Sequence, residues 1–279
     1  MIQFIFGLAT GRSGTGTLAE LLNKQPGIFC SHEGQYCPWE KDVVAFYQSI
    51  CGLLKLATEK RIGNVAFYWK NYLSEIFRDF NNPKVIVLKR ERQKVIDSFG
   101  SMYREQNYWS NPESDKFDGR EPGLAVLGDM WPKYDLPKKE AIGAYWDEYY
   151  NDGAFEYYMD KFPDNIILVR SEDFWAGEEA QKTILDFLEI EESERVYDTS
   201  IWKHKRQEEQ PYLAVDRSAP PELRKIALDK ALYGRTAMVM AGKPVDVEVE
   251  LTQEEFDKIY THPEMAKILE ERGRNAGSV

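Results

Sequence analysis

Residues 2–22, IQFIFGLATGRSGTGTLAELL, join an apolar segment to an amphipathic one through a turn of glycines and hydroxyl side chains. Residues 2–8 are almost continuously apolar, which is typical of a buried strand, whereas Leu18, Leu21 and Leu22 recur at helical spacing. The glycines allow backbone conformations that other residues avoid. A strand, a glycine-rich turn and a helix in this order predict an α/β fold with a ligand site at the turn.

The rest of the sequence alternates between the same two patterns. We expect further strands at residues 64–69, 84–90 and 165–170, and helices at 43–57, 74–80, 93–105, 141–162 and 178–190. Residues 110–137, which are rich in proline and glycine, predict a loop or insertion. Strands that alternate with helices imply a central parallel sheet flanked by helices, and together with the glycine-rich turn they indicate a P-loop-like nucleotide-binding fold.

The chain is expected to form one main domain. We assign residues 1–199 to a single α/β core. Residues 200–279 are polar and mixed in pattern, so we interpret them as a C-terminal extension packed on the same domain. Such an extension would serve as a lid over the site or as a contact in a homodimer.

The composition excludes several classes of function. The formal net charge of −11 argues against a nucleic-acid partner, because phosphate backbones are held by basic surfaces. The three cysteines form no CxxC pair and the three histidines have no zinc spacing, so we expect reduced thiols and no metal. The apolar start of the chain is too short to span a bilayer and has no basic leader. No membrane association is therefore expected, and the predicted location is cytoplasmic.

The glycine-rich turn has the composition of an anion site. A helix N terminus offers unpaired backbone N–H groups and the positive end of the helix dipole. An arginine can donate hydrogen bonds to two oxygens of one anion. We therefore predict a phosphate cradle made of Gly11, Arg12, Ser13, Gly14, Thr15, Gly16 and Thr17. The spacing differs from the GxxxxGK[ST] loop of nucleoside triphosphatases, and strand 84–90 ends in Lys89 and Arg90 instead of an acidic magnesium ligand. The site is thus expected to bind phosphate without a metal.

Two motifs resemble those of sulfotransferases that use 3′-phosphoadenosine 5′-phosphosulfate (PAPS). Residues 11–22, GRSGTGTLAELL, are similar to the loop that holds the 5′-phosphosulfate, with Gly16 where a second threonine is common. Residues 85–99, VIVLKRERQKVIDSF, are similar to the 3′-phosphate motif, in which a strand-ending arginine, here Arg90, is followed on the next helix by a serine, here Ser98. The usual Asp-Pro after the arginine is replaced by Glu-Arg. The resemblance covers about residues 2–190 and implies PAPS as the donor and adenosine 3′,5′-bisphosphate (PAP) as the product.

The resemblance also implies a general base. In protein-tyrosine sulfotransferases and small bacterial relatives a glutamate follows the phosphate loop, and Glu33 stands at the similar place here. A carboxylate in a partly apolar cleft has a raised pKa and can accept a proton from a hydroxyl. His32 is the rival base, because imidazole titrates nearer neutrality. Arg12 is expected to stabilise the leaving oxygen.

Three lysines complete the expected site. Relatives carry a lysine between the base and the 3′-phosphate strand, which implies that Lys70 neutralises the leaving phosphate, although a lysine beside Trp69 is also typical of a surface. A late basic loop covers the donor in related enzymes. Lys203 and Lys205 are therefore expected to close over the 3′-phosphate, or else to form a solvated charge cluster.

The predicted function is transfer of a sulfonate from PAPS to a hydroxyl or amine of a small-molecule acceptor. Dense tyrosine and tryptophan indicate a cleft with flat walls, and the acidic charge favours a neutral or cationic acceptor, such as a guanidinium-type natural product. Two alternatives stay open from the sequence. One is a nucleotide or small-molecule kinase with an irregular phosphate loop, and the other is a nucleotide-binding regulatory module without catalysis.

Overall fold

A computed structural model of the chain describes residues 2–33, 43–57, 59–102, 106–119, 121–122 and 131–197. The expected extension over residues 200–279, with Lys203 and Lys205, lies outside the described residues. The elements, in chain order, are β1 (Gln3–Leu8), α1 (Thr15–Asn23), β2 (Ile28–His32), α2 (Val43–Leu56), β3 (Arg61–Val65), a 3₁₀ helix (Phe67–Tyr72), α3 (Leu73–Asp79), β4 (Lys84–Lys89), α4 (Arg92–Met102), the short strands β5 (Gln106–Asn107) and β6 (Glu121–Pro122), α5 (Lys138–Asn151), α6 (Ala154–Lys161), β7 (Ile166–Arg170), α7 (Ser171–Ala176), α8 (Glu178–Phe187) and a 3₁₀ turn (Glu192–Glu194).

The central sheet contains five parallel strands in the order β2-β3-β1-β4-β7. β1 lies in the middle, with β3 on one side and β4 on the other. Side chains from helices pack on both faces, which confirms the expected α/β class with a central parallel sheet. Because the chain continues to one side of β1 and later crosses to the other, the turn after β1 lies at the crevice where open α/β sheets bind ligands.

The two faces of the sheet are covered by different kinds of side chain. Along β1, Phe4 and Phe6 face an aromatic core whereas Ile5 faces an aliphatic one, because successive side chains of a strand point to opposite faces. The aliphatic core is completed by α1 and α8, through Leu18, Leu21, Leu22, Ile184 and Leu185. The aromatic core receives Phe46, Trp69, Phe99, Trp109, Tyr145 and Tyr149 from the helices and loops of the other face.

The strand expected at residues 64–69 is wrong over most of its length. β3 spans Arg61–Val65, and the chain turns into the 3₁₀ helix two residues later. Asn64 explains the turn, because its Oδ1 atom accepts hydrogen bonds from the Tyr68 hydroxyl at 3.2 Å and from the Trp69 indole at 2.7 Å. Side chains about four residues apart are neighbours on a helical turn, so these two bonds stabilise the turn that follows β3.

The helix expected at residues 141–162 consists of two helices, α5 and α6. Gly153 separates them with a φ of 82°, a left-handed conformation that glycine adopts without steric cost. The Asp152 side chain accepts a hydrogen bond from the Ala154 N–H at 3.0 Å and so closes the turn. Strand β2 and helix α7 were not predicted from the sequence.

Candidate active site

The turn after β1 is held in a left-handed backbone conformation. Gly11 and Gly14 have φ of 83° and 92°, and Arg12 between them has φ of 55°. This conformation costs a non-glycine residue about 1 kcal/mol. Gly14 is also required sterically, because a Cβ there would lie 2.8 Å from the Trp175 Nε1 atom. The surrounding structure thus holds Arg12 in a strained conformation, which is a common feature of functional sites.

Buried hydroxyl groups fix the shape of the turn. The Ser171 hydroxyl donates to the Ser13 carbonyl oxygen at 2.8 Å, and the Tyr150 hydroxyl accepts from the Thr10 N–H at 3.2 Å. The Ser13 side chain is fully buried, and its hydroxyl donates to the Gly11 carbonyl oxygen at 3.1 Å. In this arrangement Ser13 stabilises the turn from within.

The end of β2 contacts the first turn of α1. The Thr15 hydroxyl and the His32 Nε2 atom share a hydrogen bond of 2.8 Å. Burial lowers the pKa of His32 to about 4, so the imidazole is neutral at physiological pH. Gly16 leaves room beside it, since a Cβ there would lie 3.8 Å from the His32 Cε1 atom, an ordinary contact. Thr17 is half-buried on the same turn of α1.

Glu33 follows β2 and is held through its backbone. Its φ is 49°, its N–H donates to the Val65 carbonyl oxygen at 3.1 Å, and its carbonyl oxygen accepts from the Asn64 side chain at 3.2 Å. Burial raises the pKa of the Glu33 carboxyl to about 7, and the positive charge of Arg12 opposes that rise. A carboxyl with this pKa changes its ionisation near neutral pH, which suits a general base.

The two predicted phosphate motifs meet at Arg12. The Arg12 Nε donates to the Ser98 hydroxyl at 2.9 Å, and the Arg90 Nη1 donates to the Arg12 carbonyl oxygen at 2.6 Å. Ser98 is thus bonded to Arg12, whereas the resemblance paired it with Arg90. The convergence places cationic side chains from both motifs at one point of a chain whose net charge is −11.

Arg90 is half-buried against Trp175. Its guanidinium carbon lies 5.0 Å from the centre of the Trp175 ring, and its Nε atom is buried with no hydrogen-bond partner among the described residues. Burial lowers the pKa of Arg90, and the negative charges of Glu172 and Glu91 oppose that effect. A buried donor without a partner is costly. An oxygen ligand at this point would remove that cost.

Lys70 is bonded to α5 and to the residue that follows it. Its Nζ atom donates to Asp152 Oδ2 at 2.7 Å and to the Glu148 carbonyl oxygen at 2.9 Å, and it lies 4.9 Å from the centre of the Tyr149 ring. These partners belong to α5 and its C-terminal end, and only 11% of the Lys70 side chain is exposed. The contacts shown for Lys70 therefore do not bring it to the phosphate turn.

Three residues that contact the site were missed in the sequence analysis. Ser171 and Trp175 belong to α7, which begins directly after β7, and Tyr150 belongs to α5. The position of α7 at the end of a predicted strand was a usable signal, because parallel strands end at one edge of the sheet. Tyr150 had no such signal, since it is one of many aromatic residues in a helical pattern.

The described part of the chain has a cavity near the start of β4 and no cluster of metal ligands. No group of three or more His, Cys, Asp or Glu side chains there could hold a metal ion. None of its helices is both long and apolar enough to cross a membrane. A cavity of about 330 Å³ opens near the start of β4, at the end of the strand opposite to Arg90. It is lined by Phe77, Phe80, Asn81, Asn82, Pro83, Phe162 and Asn165.

Comparison with known proteins gives matches of structure only. The sequence matches no protein-family model and no curated protein. The structure is similar to that of a sulfotransferase from Alicyclobacillus acidocaldarius, with 14% identity and a TM-score of 0.46 over 83% of this chain and 96% of that chain. It is also similar to the sulfotransferase domain from the curacin biosynthetic pathway, with 15% identity and a TM-score of 0.47 over 72% of this chain and 76% of that chain. At such identities and TM-scores neither likeness assigns the chain to a family.

Proposed function

We propose that this protein is a PAPS-dependent sulfotransferase that transfers a sulfonate to a hydroxyl or amine of a small molecule. The observation that carries the proposal is the junction of Arg12, Ser98 and Arg90. Arg12 and Arg90 are 78 positions apart in sequence, yet one donates directly to the backbone of the other, and the serine of the second motif is bonded to the arginine of the first. A turn that had only a structural role would not need two guanidinium groups.

The residues present fit a doubly anionic nucleotide. The unpartnered Nε atom of Arg90 and the forked donors of both guanidinium groups match phosphate oxygens, which accept charge-assisted hydrogen bonds. The left-handed turn ends at the N terminus of α1, where backbone N–H groups and the helix dipole favour an anion. We infer that Arg12 and the turn hold the 5′-phosphosulfate, and that Arg90 holds the 3′-phosphate.

PAPS supplies a sulfonate that is activated by its bond to phosphate. Glu33 is proposed to take the proton of the acceptor hydroxyl as the hydroxyl oxygen bonds to sulfur and the bond between sulfur and the phosphate oxygen breaks. The electron pair of the broken bond stays on that phosphate oxygen, and Arg12 compensates its charge. The proton thus goes to Glu33, the sulfonate goes to the acceptor oxygen, and the negative charge stays on a phosphate oxygen that Arg12 compensates.

Glu33 is preferred to His32 as the base. With a pKa of about 7, Glu33 is substantially ionised at neutral pH and still basic enough to accept a proton. With a pKa of about 4, His32 is a weaker base, and its Nε2 atom is already bonded to Thr15. We therefore assign His32 to holding the end of β2 against α1, next to the base.

The experiment that tests the proposed function is PAP formation from PAPS. Purified protein is incubated with PAPS and a panel of neutral and cationic hydroxyl and amine compounds, and PAP is measured by mass spectrometry. We expect acceptor-dependent PAP formation that Glu33→Gln lowers by about 100-fold or more. The control is Glu113→Gln, which removes an exposed carboxylate from a turn. No PAP with any acceptor, or ADP from magnesium and ATP instead, would contradict the proposal.

A further inference from the structure

Helix α7 contacts both of the turns that carry the phosphate motifs. The Glu172 Oε1 atom accepts a hydrogen bond from the Glu91 N–H at 3.1 Å, in the turn between β4 and α4. The Trp175 ring lies against the turn after β1, because a Cβ on Gly14 would be 2.8 Å from its Nε1 atom, and the ring centre lies 5.0 Å from the Arg90 guanidinium carbon. These contacts hold the start of α7 in a fixed position relative to the turn after β1.

The carbonyl oxygens of residues 10–13, in the turn after β1, all accept hydrogen bonds from side chains. Their donors, in chain order of the acceptors, are the Tyr145 hydroxyl at 3.4 Å, the Ser13 hydroxyl at 3.1 Å, the Arg90 Nη1 atom at 2.6 Å and the Ser171 hydroxyl at 2.8 Å. The last of these bonds joins residues 158 positions apart, and Ser13 and Ser171 are both fully buried. The peptide groups of the turn are thus oriented by bonded side chains.

A bonded carbonyl oxygen also fixes the direction of an N–H group. The peptide group is planar, and in its trans form the carbonyl oxygen of one residue and the N–H of the next point in opposite directions. No peptide bond in the described part of the chain is cis. Because the Ser13 carbonyl oxygen points to the Ser171 hydroxyl of α7, the Gly14 N–H points away from α7.

The peptide between Ser13 and Gly14 depends on its surroundings for its orientation. Glycine accepts φ of either sign, so Gly14 itself does little to limit rotation of this peptide. A Cβ that would restrict the rotation is excluded, since it would lie 2.8 Å from the Trp175 Nε1 atom. The φ of 92° at Gly14 is therefore held from outside, and the Ser171 hydroxyl bonds directly to this peptide.

We propose that Ser171 is a positioning residue that aims the Gly14 N–H at the 5′-phosphosulfate of the donor. This inference rests on the proposed function and adds to it a residue that acts through the Ser13 carbonyl oxygen. The Gly14 N–H is then oriented before the ligand binds. A hydrogen-bond donor that is already oriented loses less free energy on binding an anion than one that must first be ordered. Ser171 should therefore affect binding of the 5′ end of the nucleotide and not of the 3′ end.

The first test compares PAP with nucleotides that carry a phosphate at one end only. Binding of PAP, adenosine 5′-monophosphate and adenosine 3′-monophosphate to the full chain is measured by calorimetry in the wild type and in Ser171→Ala. We expect Ser171→Ala to weaken binding of PAP and of the 5′-monophosphate by about five- to tenfold, and to change binding of the 3′-monophosphate by less than about twofold. The matched control is Ser49→Ala, which removes another buried serine hydroxyl that donates to a backbone carbonyl, that of Ala45 at 2.8 Å, and should change none of the three affinities. If Ser171→Ala does not fold, Ser171→Cys, which is similar in shape and has a weaker donor, should show the same pattern.

A second measurement observes the Gly14 N–H directly. A serine followed by a glycine occurs once in the sequence, at residues 13–14. Protein made by cell-free synthesis with carbonyl-¹³C serine and ¹⁵N glycine therefore gives a single signal in a carbonyl-correlated amide NMR spectrum, and that signal belongs to Gly14. We expect PAP to move this signal downfield in the wild type, because the N–H gains a hydrogen bond to an anion, and to move it less in Ser171→Ala.

The outcomes separate this inference from the proposed function. If PAP does not bind the wild type, the proposed function itself is wrong. If PAP binds but Ser171→Ala weakens both monophosphates alike, or neither, Ser171 does not aim the turn, and the donor assignment stands. If PAP binds and leaves the Gly14 signal in place, the Gly14 N–H does not bind the nucleotide and the inference is wrong.

Discussion

Replacing Glu33 by glutamine should make the protein more stable above neutral pH while it removes the proposed base. The carboxyl is partly buried, and burial raises its pKa from 4.5 to about 7. A shift of this size corresponds to about 3 kcal/mol of differential stability between the protonated and ionised forms. The wild type therefore loses about that much stability by ionising Glu33 in the folded state. Glutamine is similar in shape to the protonated form and does not ionise.

The sign of the pH dependence follows from the two pKa values. Below pH 4.5 the carboxyl is protonated in both the folded and the unfolded chain, so wild type and Glu33→Gln should have similar free energies of unfolding. As the pH rises from there toward about 7, the unfolded chain releases the proton and the folded one does not, so the wild type loses stability. Above pH 7 both states are ionised and the difference levels off.

The assay is urea unfolding of wild type and Glu33→Gln at pH 5 and pH 8, with Glu113→Gln as the control for loss of an exposed carboxylate. We expect the advantage of Glu33→Gln to grow by about 2–3 kcal/mol between the two pH values. The control should show a change of less than about 0.5 kcal/mol. If Glu33→Gln is less stable than the wild type at pH 8, then the charge of Arg12 outweighs burial, and the reasoning is refuted.

Three further predictions concern the turn, the base and the buried lysine. Gly14→Ala should destabilise the protein by about 1–3 kcal/mol more than Gly16→Ala in thermal unfolding, because a Cβ at Gly14 meets an indole ring at 2.8 Å in a left-handed backbone while one at Gly16 has space; equal losses would contradict the geometry of the turn. If Glu33 is the base, kcat/KM should rise with pH and level off above about 7, whereas a limb near pH 4 would indicate the neighbouring histidine. Lys70→Met and Asp152→Asn should each lower the melting temperature, and the double variant should lose less than the two together, because the single changes each break one ion pair of 2.7 Å; strict additivity would show that the pair does not form.

Much of the fold could be predicted because its signals are local. β1 and β4 are nearly continuous apolar runs, as expected for strands buried on both faces. The glycine-rich turn between β1 and α1 marks the carboxyl ends of the strands as the place where a ligand binds. The convergence of Arg12 and Arg90 also follows from topology, since the two residues come after parallel strands that are neighbours in the sheet. The end of β3 was misplaced because side-chain hydrogen bonds of Asn64 hold the turn that follows it, and periodicity cannot show such bonds.

The parts of the site that could not be predicted depend on contacts distant in sequence. The choice between Glu33 and His32 stayed open because the two residues are adjacent in sequence, and only burial in the fold raises the pKa of the carboxyl above that of the imidazole. Lys70 pairs with Asp152, 82 positions away, and no local pattern reports such a partner.

The central claim is that Arg90 binds the 3′-phosphate of a nucleotide whose other end lies on the turn at Arg12. Calorimetric titration with PAP and with adenosine 5′-monophosphate tests it directly, because the two ligands differ only in the 3′-phosphate. We predict that the wild type prefers PAP by about 10–100-fold. Arg90→Ala should abolish the preference, and Arg170→Ala, which removes an exposed arginine at the end of the neighbouring strand β7, should keep it. Equal affinity of the wild type for both ligands, or a preference that survives Arg90→Ala, would contradict the claim.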